Sequence, residues 1–314
     1  MSAHYRPLTH RTGLFLLALL AIGIVGATLA QPPGGRGRGG ALFNPTGEAE
    51  VPPSVAMPRP GEADLARARE LFDEFMSGLG GEDRALLERY PRMLEVEMPV
   101  NTAIVPNLAP FFRAKHEQNL EVAQAGDVEL LLMGDSITDF WRNEAGPFAG
   151  KPVLDEYFGH WKIANFGIAG DTTEGVLYRL QNGEGEGFSP GAVMLMIGTN
   201  NTGRNSAAEI AEGVGAVVLE LEQGFPEAEI LLLGIFPRGD ASDPRRGMIA
   251  EINAIVSGLD ERERVHYLDI GEVFLDADGN IPADIMSDGL HPGPEGYRLW
   301  AEAVDAPLTE LMAN

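Results

Sequence analysis

The chain has 314 residues, of which 44% are hydrophobic, and this is enough apolar material to bury a core. Its 47 acidic and 23 basic residues give a formal net charge of −24, which repels a phosphate backbone, so nucleic acid is not an expected partner. The absence of cysteine excludes disulfides, thiolate metal sites and a cysteine nucleophile.

The first 61 residues have the composition of a targeting segment followed by a linker. Arg6 and Arg11 precede an uncharged apolar run that ends in small residues, which predicts a signal peptide at 1–30. We therefore expect a secreted or periplasmic protein with no stable membrane association after cleavage, and an uncleaved membrane anchor is the alternative. Residues 31–61 are rich in Pro and Gly and are predicted to be a linker.

Residues 62–126 are predicted to form a helical lead-in. Apolar residues recur at helical spacing between residues 62 and 79, and a second helical stretch covers 111–125. We expect these helices to pack on the main domain, which the change of pattern assigns to 127–314.

In the main domain, short apolar runs alternate with helical segments. Because the runs are apolar almost throughout, they are typical of strands that are buried on both faces, as in a parallel sheet. The alternation predicts a three-layer α/β/α domain with ligands at the carboxyl edge of a five-stranded parallel sheet. The predicted strands are 128–133, 163–166, 193–197, 230–233 and 265–268, and the predicted helices are 174–180, 207–222, 244–259 and 294–312.

The segment Gly134-Asp135-Ser136-Ile137-Thr138 directly follows the first predicted strand. Ser136 could expose its hydroxyl at the sheet edge as a nucleophile, or it could cap the next helix, for which Ser is a favoured residue.

Two further segments follow the next two strands. In 165–174, Gly170 lacks a side chain, so a substrate oxygen could approach its backbone N–H; alternatively the segment is only a helix start, with Asp171 as cap and Glu174 completing a capping box. In Gly198-Thr199-Asn200-Asn201, Asn200 is either a helix cap or an amide donor that points into the cleft.

The last loop contains Ser287-Asp288-Gly289-Leu290-His291-Pro292. His291 could act as a general base for a serine hydroxyl, with Asp288 accepting the other imidazole N–H, or the segment could be a surface turn before the last helix.

The four segments together resemble the blocks of the SGNH (GDSL-type) hydrolases, whose name lists the Ser, Gly, Asn and His. This resemblance implies a flavodoxin-like SGNH hydrolase fold over 127–312. It also implies that Ser136 is the nucleophile, that Asp288 and His291 complete the triad, and that Ser136, Gly170 and Asn200 form the oxyanion hole.

Within that family, residues 165–180, 198–201 and 233–239 are similar to the catalytic subunits of platelet-activating-factor acetylhydrolase. The third block reads Gly-Thr-Asn-Asn, where the wider family has Gly-x-Asn-Asp, and this supports the same branch. The resemblance implies a serine esterase for short acyl esters, with acetyl the first choice.

Secretion of an acidic enzyme favours a carbohydrate alcohol in the substrate, and no metal or organic cofactor is needed for the chemistry. The alternatives are a lipase or lysophospholipase, and a noncatalytic carbohydrate-binding or scaffold protein with the same fold.

Two other candidates have a structural interpretation that we prefer, and a third, Arg238, keeps both of its interpretations. His266 and Asp269 fall on a predicted strand, and 276–280 differs from a calcium-binding loop and favours a β-turn. Arg238 follows the fourth strand and could contact substrate or pair with Asp240.

Overall fold

The computed structural model describes residues 47–90 and 100–313, which form two compact units. The predicted signal peptide at 1–30 and the first half of the predicted linker lie outside the described residues. Among the residues that are described, no helix is long and apolar enough to cross a membrane.

The smaller unit contains two helices, α1 (Glu62–Ser77) and α2 (Gly81–Glu88). Helix α1 begins at Glu62, where the helical spacing begins in the sequence. Neither helix has a buried side chain. The expected packing of this region on the main domain stays a prediction.

The larger unit is built on a five-stranded sheet in which neighbouring strands are parallel, in the order β2-β1-β3-β4-β5. Each strand begins and ends within two residues of the predicted bounds, which confirms the predicted sheet. Strand order reverses between β1 and β3, and such a switch point opens a crevice at the carboxyl edge. The strands are β1 (Leu130–Gly134), β2 (Ile163–Asn165), β3 (Ala192–Met196), β4 (Glu229–Leu233) and β5 (Val265–Leu268).

Helices cover both faces of this sheet. They are α3 (Arg113–Ala125), α4 (Ser136–Asp139), α5 (Lys151–Phe158), α6 (Thr173–Arg179), α7 (Ala207–Gly224), α8 (Arg245–Val256) and α9 (Pro294–Met312). Shorter helical turns occupy Thr102–Ile104, Pro110–Phe112, Phe140–Arg142, Leu180–Glu184, Thr199–Gly203, Ser257–Glu261 and Gly271–Phe274.

Alternate residues of β1 belong to two separate apolar clusters. Leu131 and Met133 pack with side chains of α6, α7 and α8, whereas Leu130 and Leu132 pack with those of α5 and α9. Because successive side chains of a strand point to opposite faces, the two clusters lie on opposite sides of the sheet. The predicted three-layer α/β/α architecture is confirmed.

Residues 49–57 of the predicted linker are not a free linker, because they belong to the larger unit. Val55 is only 3% exposed, Ala49 N–H donates to the Ile104 carbonyl at 2.7 Å, and Met57 N–H donates to Glu212 Oε1 at 2.8 Å. A Cβ at Gly215 of α7 would lie 2.5 Å from a methyl carbon of Val55, so this glycine leaves the space that Val55 fills. The high Pro and Gly content concealed a few apolar residues that are sufficient to hold the segment on α7.

Candidate active site

Ser136 lies at the first position of α4, immediately after β1. The cap of this helix is Asp135, whose Oδ1 accepts the Ile137 N–H at 3.0 Å, so the Ser136 hydroxyl is not used as a cap. Because Ser136 is in the first turn, its own N–H has no acceptor within the helix. The turn is tight, since a Cβ at Gly134 would lie 3.0 Å from Cβ of Thr138.

The structure brings Ser136 together with His291 and Asp288, although Ser136 and His291 are 155 residues apart. Ser136 Oγ lies 2.8 Å from His291 Nε2, and His291 Nδ1 lies 2.7 Å from Asp288 Oδ2. If Nδ1–H donates to the carboxylate, Nε2 keeps its lone pair and can accept the serine proton.

The Asp288 carboxylate also holds the backbone of its own loop by hydrogen bonds. Asp288 Oδ1 accepts the N–H groups of Leu290 and His291, at 3.0 and 2.8 Å. Partial burial alone would raise the pKa of Asp288, but its hydrogen bonds to the His291 side chain and to these N–H groups outweigh that effect and hold the pKa below its usual value. Asp288 is therefore a carboxylate at neutral pH.

Two aromatic rings pack against the imidazole. The ring centroids of Phe140 and Phe148 lie 5.0 and 5.3 Å from that of His291. They restrict the tilt of a side chain that is only 17% exposed. Sequence reasoning missed both rings, because neither belongs to a chemical motif; only the four-residue spacing of Phe140 from Ser136 was available as a signal.

The predicted oxyanion donors come from loops that are hydrogen-bonded to each other. Asn200 Nδ2 donates to the Asp171 carbonyl at 2.8 Å, which ties the third block to the residue after Gly170. Gly170 has φ of +86°, a backbone conformation that favours glycine. Within the part of the chain that the structure describes, the Gly170 N–H donates to no acceptor.

A buried ionic cluster holds the Gly170 loop through Asp171, the residue that follows Gly170. Asp171 Oδ1 accepts the Thr172 N–H at 2.9 Å, while its Oδ2 pairs with Arg179 at 2.9 Å. Arg179 also pairs with Glu184, and His116 Nδ1 lies 2.7 Å from Glu184 Oε1. Burial raises the pKa of Asp171 to about 6 despite the opposing effect of Arg179, so this carboxyl is charged above that pH.

The alternative helix-start interpretation of residues 171–174 is wrong in its details. The N-cap of helix α6 is Thr172, whose side chain makes no capping hydrogen bond. Asp171 is not the cap, and its Oδ2 accepts a hydrogen bond from Arg179 Nε. Glu174 bonds to Asn201 Nδ2 and pairs with Arg204.

The remaining candidates have structural partners. His266 lies on β5 and bonds Glu229, and Asp276 Oδ1 accepts two backbone N–H groups of its own turn. Arg238 bonds Thr199 rather than Asp240. No cluster of three or more metal-ligating residues occurs among the residues described here.

The geometry suits acyl transfer. A serine hydroxyl bonded to an imidazole, which is in turn oriented by a carboxylate, is the arrangement that activates serine for attack on an ester carbonyl. It lies at the carboxyl edge of the sheet, at the strand switch point.

Comparison with known proteins leads to the same chemistry. The sequence model of the GDSL-like lipase/acylhydrolase family matches residues 132–299. The chain is 32% identical over 219 residues to the platelet-activating factor acetylhydrolase IB subunit alpha2 of Rattus norvegicus, with 68% of this chain and 90% of the relative covered. It is also 32% identical over 200 residues to the platelet-activating factor acetylhydrolase IB subunit alpha1 of Homo sapiens, with 63% of this chain and 83% of that relative covered.

Among solved structures, a GDSL-like lipase from Bacteroides thetaiotaomicron matches with a TM-score of 0.51 and 15% identity, covering 63% of this chain and 97% of that one. This likeness concerns the fold alone. The family match and the relatives show that the chain belongs to the GDSL-like lipase/acylhydrolase family and is an ester hydrolase.

Proposed function

We propose that this protein is a serine esterase that removes short acyl groups, acetyl in the first place, through an acyl-enzyme. The observation that carries the proposal is the 2.8 Å contact between Ser136 Oγ and His291 Nε2, continued at 2.7 Å to Asp288. In this proposal His291 takes the proton of Ser136 as its oxygen attacks the ester carbonyl. His291 then returns the proton to the leaving alcohol, and water releases the acyl group by the same route.

The oxyanion formed in the attack would be stabilised by the N–H groups of Ser136 and Gly170 and by the amide of Asn200. The first two are supported because, among the described residues, neither N–H donates to another acceptor. Asn200 uses one amide hydrogen on the Asp171 carbonyl, which fixes the amide and leaves its second hydrogen for substrate. Fixed donors of this kind act without reorganisation during the reaction.

The choice of acetyl is supported by the two relatives, both of which are named acetylhydrolases. A carbohydrate hydroxyl as the alcohol, and export of the enzyme, follow only from the N-terminal sequence and the acidic composition and are part of the proposal.

The test is hydrolysis of 4-nitrophenyl esters with acyl chains of two to twelve carbons. We expect measurable turnover of the acetate, its loss in Ser136→Ala with unchanged thermal unfolding, and falling kcat/KM as the chain lengthens. An optimum at long chains would favour a lipase or lysophospholipase instead. A folded wild type without esterase activity would refute the proposal.

A further inference from the structure

Arg238 is a partly buried cation beside the proposed triad. It follows β4 at the carboxyl edge of the sheet, and its Nη1 donates to the carbonyl and Oγ1 of Thr199 at 3.3 and 3.1 Å. The next residue, Gly239, donates its N–H to the Gly289 carbonyl at 2.7 Å, within the loop of Asp288 and His291. Arg238 therefore lies between the Asn200 loop and the base.

Arg238 has no counter-ion of its own in the described part of the chain. Three acidic groups attract Arg238, and two of them are bonded elsewhere, since Asp243 pairs with Arg245 and Asp288 bonds His291. The third, the buried Asp135, accepts the Ile137 N–H through Oδ1, and burial raises its pKa to about 7, so it is not a full counter-charge near neutral pH. Its Nε and Nη2 donate to no acceptor among the described residues. Burial, and then repulsion by Arg245, lowers the pKa of Arg238, which agrees with a cation that is incompletely compensated.

This arrangement is unusual for a chain with 47 acidic residues against 23 basic ones. Partial desolvation of a guanidinium is unfavourable unless an anion compensates it, and this chain has acidic side chains to spare. The free edge of the guanidinium, with parallel N–H groups, matches the two oxygens of a carboxylate or phosphate.

We propose that Arg238 forms a subsite for an anionic oxygen group, a carboxylate or a phosphate, carried by the alcohol portion of the ester. The proposal rests on the proposed esterase function. The alcohol is assigned to this side because its oxygen receives the proton from His291, and Arg238 lies next to the loop of that residue. The substrate class is therefore a short-chain ester of an acidic alcohol, such as an acylated uronic acid or sugar phosphate.

The experiment compares 3-acetoxybenzoate with 3-acetoxybenzamide, which differ at one group that is charged in only the first ester. For wild type and each variant, the ratio of kcat/KM for the anionic ester to that for the neutral ester is measured at constant ionic strength. Changes in this ratio between variants are independent of the intrinsic reactivity of the two esters. In Arg238→Gln we expect the ratio to fall about ten- to a hundredfold, the effect of losing a charge-assisted hydrogen bond.

Arg245→Gln is the matched control, because it removes the same charge nearby from a side chain that is 43% exposed and paired with Asp243. It should leave the ratio near the wild-type value. An unchanged ratio in Arg238→Gln, or an equal fall in both variants, would overturn the proposal. A third ester, 3-acetoxyphenyl phosphate, distinguishes a phosphate from a carboxylate subsite by which anion loses more in Arg238→Gln.

If Arg238→Gln were inactive on every ester, the subsite would be tested by inhibition of the wild-type enzyme. Benzoate should then inhibit hydrolysis of the neutral ester competitively and more strongly than benzamide, and equal inhibition would overturn the subsite. Hydrolysis of the neutral ester by wild type, and its loss in Ser136→Ala, test the esterase function separately, so the two failures are distinguishable.

Discussion

Gly175 in helix α6 offers a direct test of the buried cluster that supports the Gly170 loop. A Cβ at this position would lie 2.9 Å from Cγ of Asp171 and still closer to Oδ1. Ordinary carbon–carbon contact begins at about 3.5 Å, so the carboxylate of Asp171 must move by roughly 1 Å to admit a methyl group. That movement disturbs both its 2.9 Å bond to the Thr172 N–H and its 2.9 Å pairing with Arg179.

The expected free-energy change follows from these contacts. Overpacking costs about 1–3 kcal/mol, and weakening a buried ion pair adds to it, with about 3–5 kcal/mol as the limit for losing one partner outright. The better helix propensity of alanine offsets about 1 kcal/mol. Gly175→Ala should therefore destabilise the protein by about 2–4 kcal/mol.

The assay is urea unfolding of Gly175→Ala beside Gly247→Ala. Gly247 also lies in a helix, α8, and apart from the adjacent helix backbone no atom of the described residues lies within 4 Å of a Cβ placed there. The control should be neutral or more stable by up to about 1 kcal/mol. Equal unfolding midpoints for the two variants would refute the reasoning, because the same substitution would then be insensitive to the Asp171 carboxylate.

Three further predictions concern the site itself. Asp135 is fully buried, and its Oδ2 has no hydrogen-bond partner among the described residues. Burial raises the pKa of Asp135 to about 7, so the native state holds this proton more tightly than the unfolded state does, and stability falls as pH rises from about 4 to 7. Asp135→Asn should reduce the difference in stability between pH 5 and pH 8 in urea unfolding, and an unaltered difference would contradict this prediction. Asn200→Ala should lower kcat for the acetate ester by about 10² to 10³ with little change in KM, whereas a change confined to KM would argue against an oxyanion donor. Asp288→Asn should reduce kcat at least about 10²-fold, and wild-type turnover would show that His291 does not need its carboxylate.

The sheet was accessible from the sequence because its strands are apolar almost throughout and separated by helices of ordinary length. Few architectures are compatible with strands and helices that alternate along the chain. The five strands fall within two residues of their predicted positions. The segment around Val55 escaped prediction for the opposite reason, since two buried residues, Pro52 and Val55, are too few to give a periodicity that can be detected.

Within the site, the residues with distinctive chemistry were predictable and their supports were not. Ser136, Asp288 and His291 belong to short motifs, so their types and order can be recognised. Arg179 has no motif, and its role depends on the tertiary fold that brings it to Asp171 with no exposure to solvent. Phe148 likewise meets His291 only because a loop between α4 and α5 returns to the last loop of the domain.

The distribution of the triad along the chain has a consequence for folding experiments. The hydroxyl follows the first strand of the sheet, whereas the imidazole comes after the fifth, so the two meet only when every intervening strand and crossover has taken its place. Such non-local pairings form slowly. Recovery of turnover after dilution from denaturant should therefore report the last stage of assembly, and should lag behind the return of helical circular dichroism.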